Sequence, residues 1–242
     1  MRPRVVVTGM GVVAPNGLGL DNYEAALRAG QSGIRFIPEL SSLNFGCQVG
    51  GVPQGFDAIC RQYFDEEKMV SINDNIGYAS VAALDAWTDA GFSIPGSDDD
   101  TVHWDTGVIV GSGIGGMETI ANTVVPMVNE GKVRRMGSSI VERVMNSATS
   151  ARVAGLLALG NQVTSNSSAC STGNEAIIEG MLRIRSGLAK RVLAGGSEGS
   201  SPYIWAGFDA MRVIARKYND QPERASRPMS ASANGFVPGS GG

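Results

Sequence analysis

The chain has 242 residues, 43% hydrophobic and 18% charged, with a formal net charge of -3. That is enough apolar material for one sizeable core. The balance is slightly acidic, with no Lys/Arg-rich run, which argues against nucleic acid as a partner. No apolar stretch reaches membrane-spanning length and no secretion-signal core follows the basic start, while three widely separated cysteines with no CxxC fit a reducing cytoplasm.

The first expected element is a buried strand, Val5-Val6-Val7-Thr8, followed by a Gly-rich stretch from Gly9 to Gly19. A helix should follow over residues 21–29, with Asp21 as N-cap, Glu24 completing a capping box and Gly30 ending it. Residues 31–65 are irregular, with Pro38 and Pro53, and read as loops with short strands. Ile72, Ile76, Ala79, Ala83 and Ala86 recur at helical spacing, which predicts one helix over residues 66–90 closed by Gly91. An exposed acidic loop from Pro95 to Asp100 comes next.

Residues 106–110 read as a second buried strand running into Gly111-Ser-Gly-Ile-Gly-Gly116 and a helix. A basic loop with Lys132, Arg134 and Arg135 precedes a helix expected over residues 139–159. A third strand, 162–167, meets the turn Ser168-Ala-Cys-Ser-Thr-Gly173 and a helix to Ile184. A fourth strand covers 191–194, before Gly195-Gly196. Strands alternating with helices predict an α/β fold with a mainly parallel sheet buried on both faces. The last residues, Gly235-Phe-Val-Pro-Gly-Ser-Gly-Gly242, look like the approach to another strand, so the chain is expected to end in mid-element.

Three cysteines, Cys47, Cys60 and Cys170, are widely separated, with no CxxC. That fits neither a disulfide framework nor a metal site. Cys170 sits between a strand and a helix, where the helix N-terminus presents free N–H groups and the positive end of its dipole. Such a position favours a thiolate and can hold an oxyanion when sulfur attacks a carbonyl. Placement alone leaves two readings open, a nucleophile or a buried structural thiol. Cys47 and Cys60 have no such setting and read as structural.

Gly111-Ser-Gly-Ile-Gly-Gly116 formally satisfies the dinucleotide-binding pattern GxGxxG. A nucleotide fold needs an acidic residue at the end of the next strand. Glu130 has the spacing but lies in a Gly-Lys loop with no strand before it, so a tight turn with close packing is the better reading. The single His, His103, reads as a packing or surface residue.

These motifs together resemble the β-ketoacyl-acyl-carrier-protein synthases. The resemblance is carried by residues 5–17, Ala29-Gly-Gln-Ser-Gly-Ile34, Gly111–Gly116, Ser168–Gly173, Ala194-Gly-Gly-Ser-Glu198, Ala225-Ser-Arg-Pro228 and Gly235–Gly239, in family order. It implies a thiolase-like fold, layered α-β-α-β-α, of which residues 1–242 form the N-terminal half. It implies an acyltransferase without a cofactor, in fatty acid or related polyene or polyketide synthesis. Cys170 would accept the acyl group from acyl carrier protein, and a malonyl-carrier thioester would lose CO2 and attack it. Two His, a Lys and a gating Phe would come from the complementary C-terminal half. Ile114 matches a position lining the acyl pocket near the dimer interface. Met145, in a segment closer to the type I branch, is a second pocket candidate.

Carrier docking usually falls on a basic helix, but Asp65-Glu66-Glu67 stands there. Arg61, Lys132, Arg134 and Arg135 remain as candidates. The resemblance also admits a homodimer or a heterodimer, a non-catalytic chain-length-factor-like partner, and a thiolase-type acyl-CoA acyltransferase. The presence of Cys170 disfavours the non-catalytic reading, and the motif context disfavours the thiolase.

Overall fold

The structure, a computed structural model, describes residues 3–96 and 98–242. The basic start Met1-Arg2, and Ser97 in the expected acidic loop, lie outside the described residues.

The strands are β1 (Val13–Ala14), β2 (Gly17–Leu18), β3 (Ile34–Phe36), β4 (Val49–Gly51), β5 (Thr106–Gly111), β6 (Val163–Thr164) and β7 (Arg191–Gly196). β1 and β2 form a small antiparallel hairpin, and β3 pairs antiparallel with β4. The central sheet is parallel, in the order β6-β5-β7. Register Val108↔Leu193 and Ile109↔Ala194 aligns β5 with β7. Side chains alternate between the faces of a strand, so these pairs divide the sheet into two environments.

The helices before β5 are α1 (Leu20–Arg28), α2 (Pro38–Ser42), α3 (Phe56–Tyr63), α4 (Glu66–Met69) and α5 (Asp74–Asp89). After it come α6 (Met117–Thr119), α7 (Val125–Asn129), α8 (Ile140–Val144), α9 (Ala148–Leu156), α10 (Thr172–Arg185) and α11 (Pro202–Ala210). On one face of the sheet, Val108, Val110 and Leu193 join Val153, Ala154 and Leu157 from the α9 region and Tyr78, Val81, Leu84 and Trp87 of α5 in the main core. On the other face lies α10, whose Gly180 lets it approach Val192 and Ala194 closely. The outward residues of α10, Ile177, Ile178 and Leu182, are 55, 51 and 52% exposed.

Several expectations need correcting. Residues 5–8 form no strand, and Val6 and Val7 are 64 and 76% exposed. The segment just after them lies along α5, with Met10 N–H donating to Asp89 Oδ2 at 2.8 Å, and among the described residues no strand pairs with it. α1 begins at Leu20 behind Gly19, whose φ is 79°, and Asp21 falls in the first turn instead of capping it. The hairpin β1–β2 dictates this start, because Gly19 N–H is drawn back to Val12 O.

The helix expected over 66–90 is broken at Asn73. Its Oδ1 accepts from Ile76 N–H at 3.0 Å and starts α5 there, while Asp65 caps α4 in the same way. The helix expected over 139–159 breaks at Met145, whose ψ of 135° is extended. The strand expected over 162–167 shrinks to Val163–Thr164. At Val110 the Ser150 hydroxyl enters the ladder, accepting from Val110 N–H at 2.8 Å and donating to Thr164 O at 2.6 Å, and the strands part. Within the central sheet β5 is buried along its length, whereas β6 and β7 are partly open.

Candidate active site

β6 delivers the chain to a tight turn before α10. Ala169 has φ of 51°, a left-handed conformation that costs a non-glycine residue on the order of 1–3 kcal/mol. Thr172 holds the turn. Its Oγ1 accepts from Ser168 N–H at 2.9 Å and donates to Ala169 O at 2.7 Å, and its carbonyl accepts from Asn166 Nδ2 at 2.7 Å. Cys170 is therefore lifted to the surface at the start of a 14-residue helix, and it is exposed. A thiolate there lies near the positive end of the α10 dipole, an arrangement suited to attack on a carbonyl carbon.

The other two thiols have the opposite environment. Cys47 and Cys60 are fully buried. Burial pushes the Cys47 thiol up, and burial together with nearby Asp57 pushes Cys60 up to about 11. Cys60 Sγ packs on Met69 Sδ at 3.7 Å, and Cys47 Sγ donates to Val49 O at 3.4 Å. Both are structural thiols.

The Gly-rich loop after β5 forms the neighbouring wall. Gly113 O accepts from Ser167 Oγ at 3.3 Å, joining the loop to the Cys170 turn. The Gly113 and Ile114 N–H groups of this loop are already used. Glu198, just past β7, accepts from Gly113 N–H at 3.0 Å and from Ile114 N–H and Ser112 Oγ at 3.1 Å each. A Cβ on residue 113 would stand 2.8 Å from Glu198 Oε2, so any larger residue there would push the carboxylate aside. The cradle that a nucleotide phosphate would need is filled by the protein's own carboxylate.

Asn146 Oδ1 accepts from Gly115 N–H at 2.8 Å, which brings the Met145 segment against Ile114. The structure thus gathers the segments of Cys170, Ile114 and Met145 at the carboxyl end of the sheet. Ile114 and Met145 both reach solvent. A cleft of about 280 Å³ lies between β3, β4 and the start of α11, lined by Arg35, Ile37, Glu39, Ser201 and Trp205 among others, and none of those three residues lines it. Glu198 and Asn146 were not singled out from sequence. The available signal was an acidic residue closing a strand beside the one that bears the Gly-rich loop.

Lys132, Arg134 and Arg135 share one short turn, in which Arg135 N–H donates to Lys132 O at 2.8 Å, whereas Arg61 belongs to α3. Arg61, on α3, pairs with Glu66, and Lys132 pairs with Glu130 at 2.6 Å. Arg134 and Arg135 lie exposed in a 3-10 turn after α7, and among the described residues neither has an ion-pair partner. His103 belongs elsewhere. It sits at the amino end of the sheet, edge-on to Trp87 with ring centroids 5.1 Å apart. Among the described residues no group of His, Cys, Asp and Glu could hold a metal ion, and no helix is long and apolar enough to cross a membrane.

The description "Beta-ketoacyl synthase, N-terminal domain" matches residues 2–242. The chain belongs to the β-ketoacyl synthase family. It is 33% identical over 239 residues to 3-oxoacyl-[acyl-carrier-protein] synthase 2 of Vibrio cholerae, covering 98% of this chain and 56% of that protein. A crystal structure of a β-ketoacyl synthase from Burkholderia phymatum superposes with a TM-score of 0.86 at 30% identity, covering 98% of this chain and 57% of the other. The ishigamide ketosynthase/chain length factor superposes with a TM-score of 0.84 at 26% identity, covering 100% of this chain and 57% of the other. The fold is accordingly thiolase-like, and the chain spans little more than half the length of these relatives.

Proposed function

We propose that this chain is the nucleophile-bearing half of a β-ketoacyl-acyl-carrier-protein synthase, with Cys170 as the acyl acceptor. The observation that carries the reading is the contrast among the thiols: one exposed at a helix N-terminus on a strained turn, two buried. Cys170 Sγ attacks the carbonyl carbon of an acyl thioester, a new C–S bond forms, and the carrier thiolate leaves. A malonyl-carrier thioester then loses CO2. Its carbanion forms a C–C bond with the acyl carbon, and the Cys170 thiolate is released.

The donors for the developing enolate come from a complementary C-terminal half. The half-exposed Ile177, Ile178 and Leu182 of α10 support such a covering layer, because apolar residues grouped on one helix face call for a partner. Residues 6–8, exposed and without strand partners among the described residues, suit the same role. Ile114 and Met145 line the acyl groove, which needs further walls to close. Arg134 and Arg135 are the best-placed cations for an acidic acyl carrier protein, since Arg61 and Lys132 are engaged by Glu66 and Glu130. The dimer is either of like halves or, as in the ketosynthase/chain length factor, of unlike ones. The cytoplasm is the proposed location.

The test is labelling with an electrophilic acyl mimic followed by peptide mapping. Modification should fall on Cys170. Modification mainly on Cys47 or Cys60 would overturn the reading.

A further inference from the structure

The carboxylate of Glu198 is more than a filler of the Gly-rich loop. It takes three hydrogen bonds from consecutive residues, Ser112, Gly113 and Ile114. No cation pairs with it among the described residues, so its charge is met by backbone and hydroxyl dipoles alone, as in an anion-binding nest. The arrangement is braced from behind. Ser112 Oγ, while donating to Glu198, accepts from Asn75 Nδ2 at 3.1 Å, and Asn75 Oδ1 accepts from Ser197 Oγ. The Glu198 backbone is pinned to Gly241 by two hydrogen bonds of 2.9 and 3.0 Å.

Two consequences follow from the geometry. Holding the Gly113 amide fixes its peptide neighbourhood, and the Gly113 carbonyl receives Ser167 Oγ from the Cys170 turn. Holding the Ile114 amide fixes the origin of the Ile114 side chain, which reaches solvent beside that turn. We propose that Glu198 is a positioning residue, which through the Gly113 and Ile114 amides sets the wall beside Cys170 and hence which acyl chains reach its sulfur. The proposal rests on the reading of Cys170 as acyl acceptor.

The substitution that tests it is Glu198→Gln. A glutamine keeps the shape but replaces one acceptor oxygen with a donor NH2, which faces an N–H instead of receiving it. In the full-length protein, acylation of Cys170 is followed by intact mass with acyl thioesters of increasing chain length, alongside amide exchange at Gly113 and Ile114. A wall displaced by ~1 Å can cost up to ~100-fold in rate, so long acyl groups should lose ~10-fold or more relative to short ones. Exchange at both amides should quicken. Ser112→Ala, removing one bond of the three, should shift selectivity in the same direction by less.

A purely structural role for Glu198 would slow all chain lengths alike. Unchanged selectivity therefore overturns the proposal, whether or not the melting temperature falls. If the unsubstituted protein forms no acyl adduct at Cys170 with any thioester, the reading of Cys170 fails on its own. Exchange at Gly113 and Ile114 that matches the unsubstituted protein overturns the lock in either case.

Discussion

The two sides of the central sheet are built from similar materials and finished differently. On the α9 side, Val108, Val110 and Leu193 meet Val153 and Leu157 and then α5, and the core is sealed. On the α10 side, the helix covers the sheet but leaves its own Ile177, Ile178 and Leu182 half-exposed. The two ends of the sheet repeat the opposition. The amino end is closed by packing and ion pairs, with His103 against Trp87 and Asp105 bonded to Arg191 at 2.5 Å. The carboxyl end carries a strained turn, an exposed thiol and a loop held by one carboxylate. The proposed chemistry falls where the sheet is least finished, as attack on a thioester would need an accessible sulfur and room for a partner.

The largest effect should come from the thiol itself. Cys170→Ala should abolish acyl-adduct formation, while His103→Ala at the closed end should leave it intact. Intact mass after incubation with an acyl thioester reads both. An adduct that survives Cys170→Ala would break the assignment of the open end as the reactive one.

The next prediction compares the faces. Leu157 is fully buried, and Leu157→Ala should destabilise the chain by ~2–5 kcal/mol through lost burial and a cavity. Ile177→Ala on the open face should stay within ~0.5 kcal/mol for this chain, as surface substitutions do. Urea unfolding of both variants measures the difference. Equal losses would mean that the α10 face is already sealed.

Much of this opposition was legible in the sequence. The strand–turn–helix around Cys170 is encoded locally, by small residues between a β-branched run and a helical one, and the structure has it. The uninterrupted apolar run of β5 likewise reads directly as a buried strand. What the sequence misjudged depended on contacts distant in the chain. Val5–Thr8 has the composition of a buried strand, but a strand needs a neighbour, and among the described residues none pairs with it. The breaks at Asn73 and Met145 come from single residues whose side chain or backbone overrides a good helical pattern. Glu198 was visible only as part of a motif. Its role depends on the parallel pairing of β5 with β7, which places the two strand ends 87 residues apart in sequence side by side (Gly111 to Glu198). The carrier candidates turned on charges that pair locally, Arg61 with Glu66 and Lys132 with Glu130.

The smallest effects sharpen the comparison of the two ends through their carboxylates, whose ionisation folding shifts in opposite directions. Asp74, at the start of α5 near the carboxyl end, has its carboxyl raised by burial, despite the hydrogen bond from Ser200 Oγ at 2.7 Å. A carboxyl raised on folding is penalised when ionised, so its cost is absent below the unfolded value and grows as pH rises through the folded one. Asp74→Asn should therefore raise the melting temperature by a few degrees at pH 7 and by less at pH 4. Asp105, at the amino end, is held below the usual carboxylate range, chiefly by its hydrogen bond from Arg191. Its contribution is present above the unfolded value and is lost as pH falls through the folded one. Asp105→Asn should then lower the melting temperature slightly at pH 7, by less in high salt, and not at all in strong acid, because the pair is partly exposed and screened. Melting curves of the two variants across pH should diverge in sign at neutrality and converge in acid. Curves that run parallel would show that the two ends do not differ in how they hold charge.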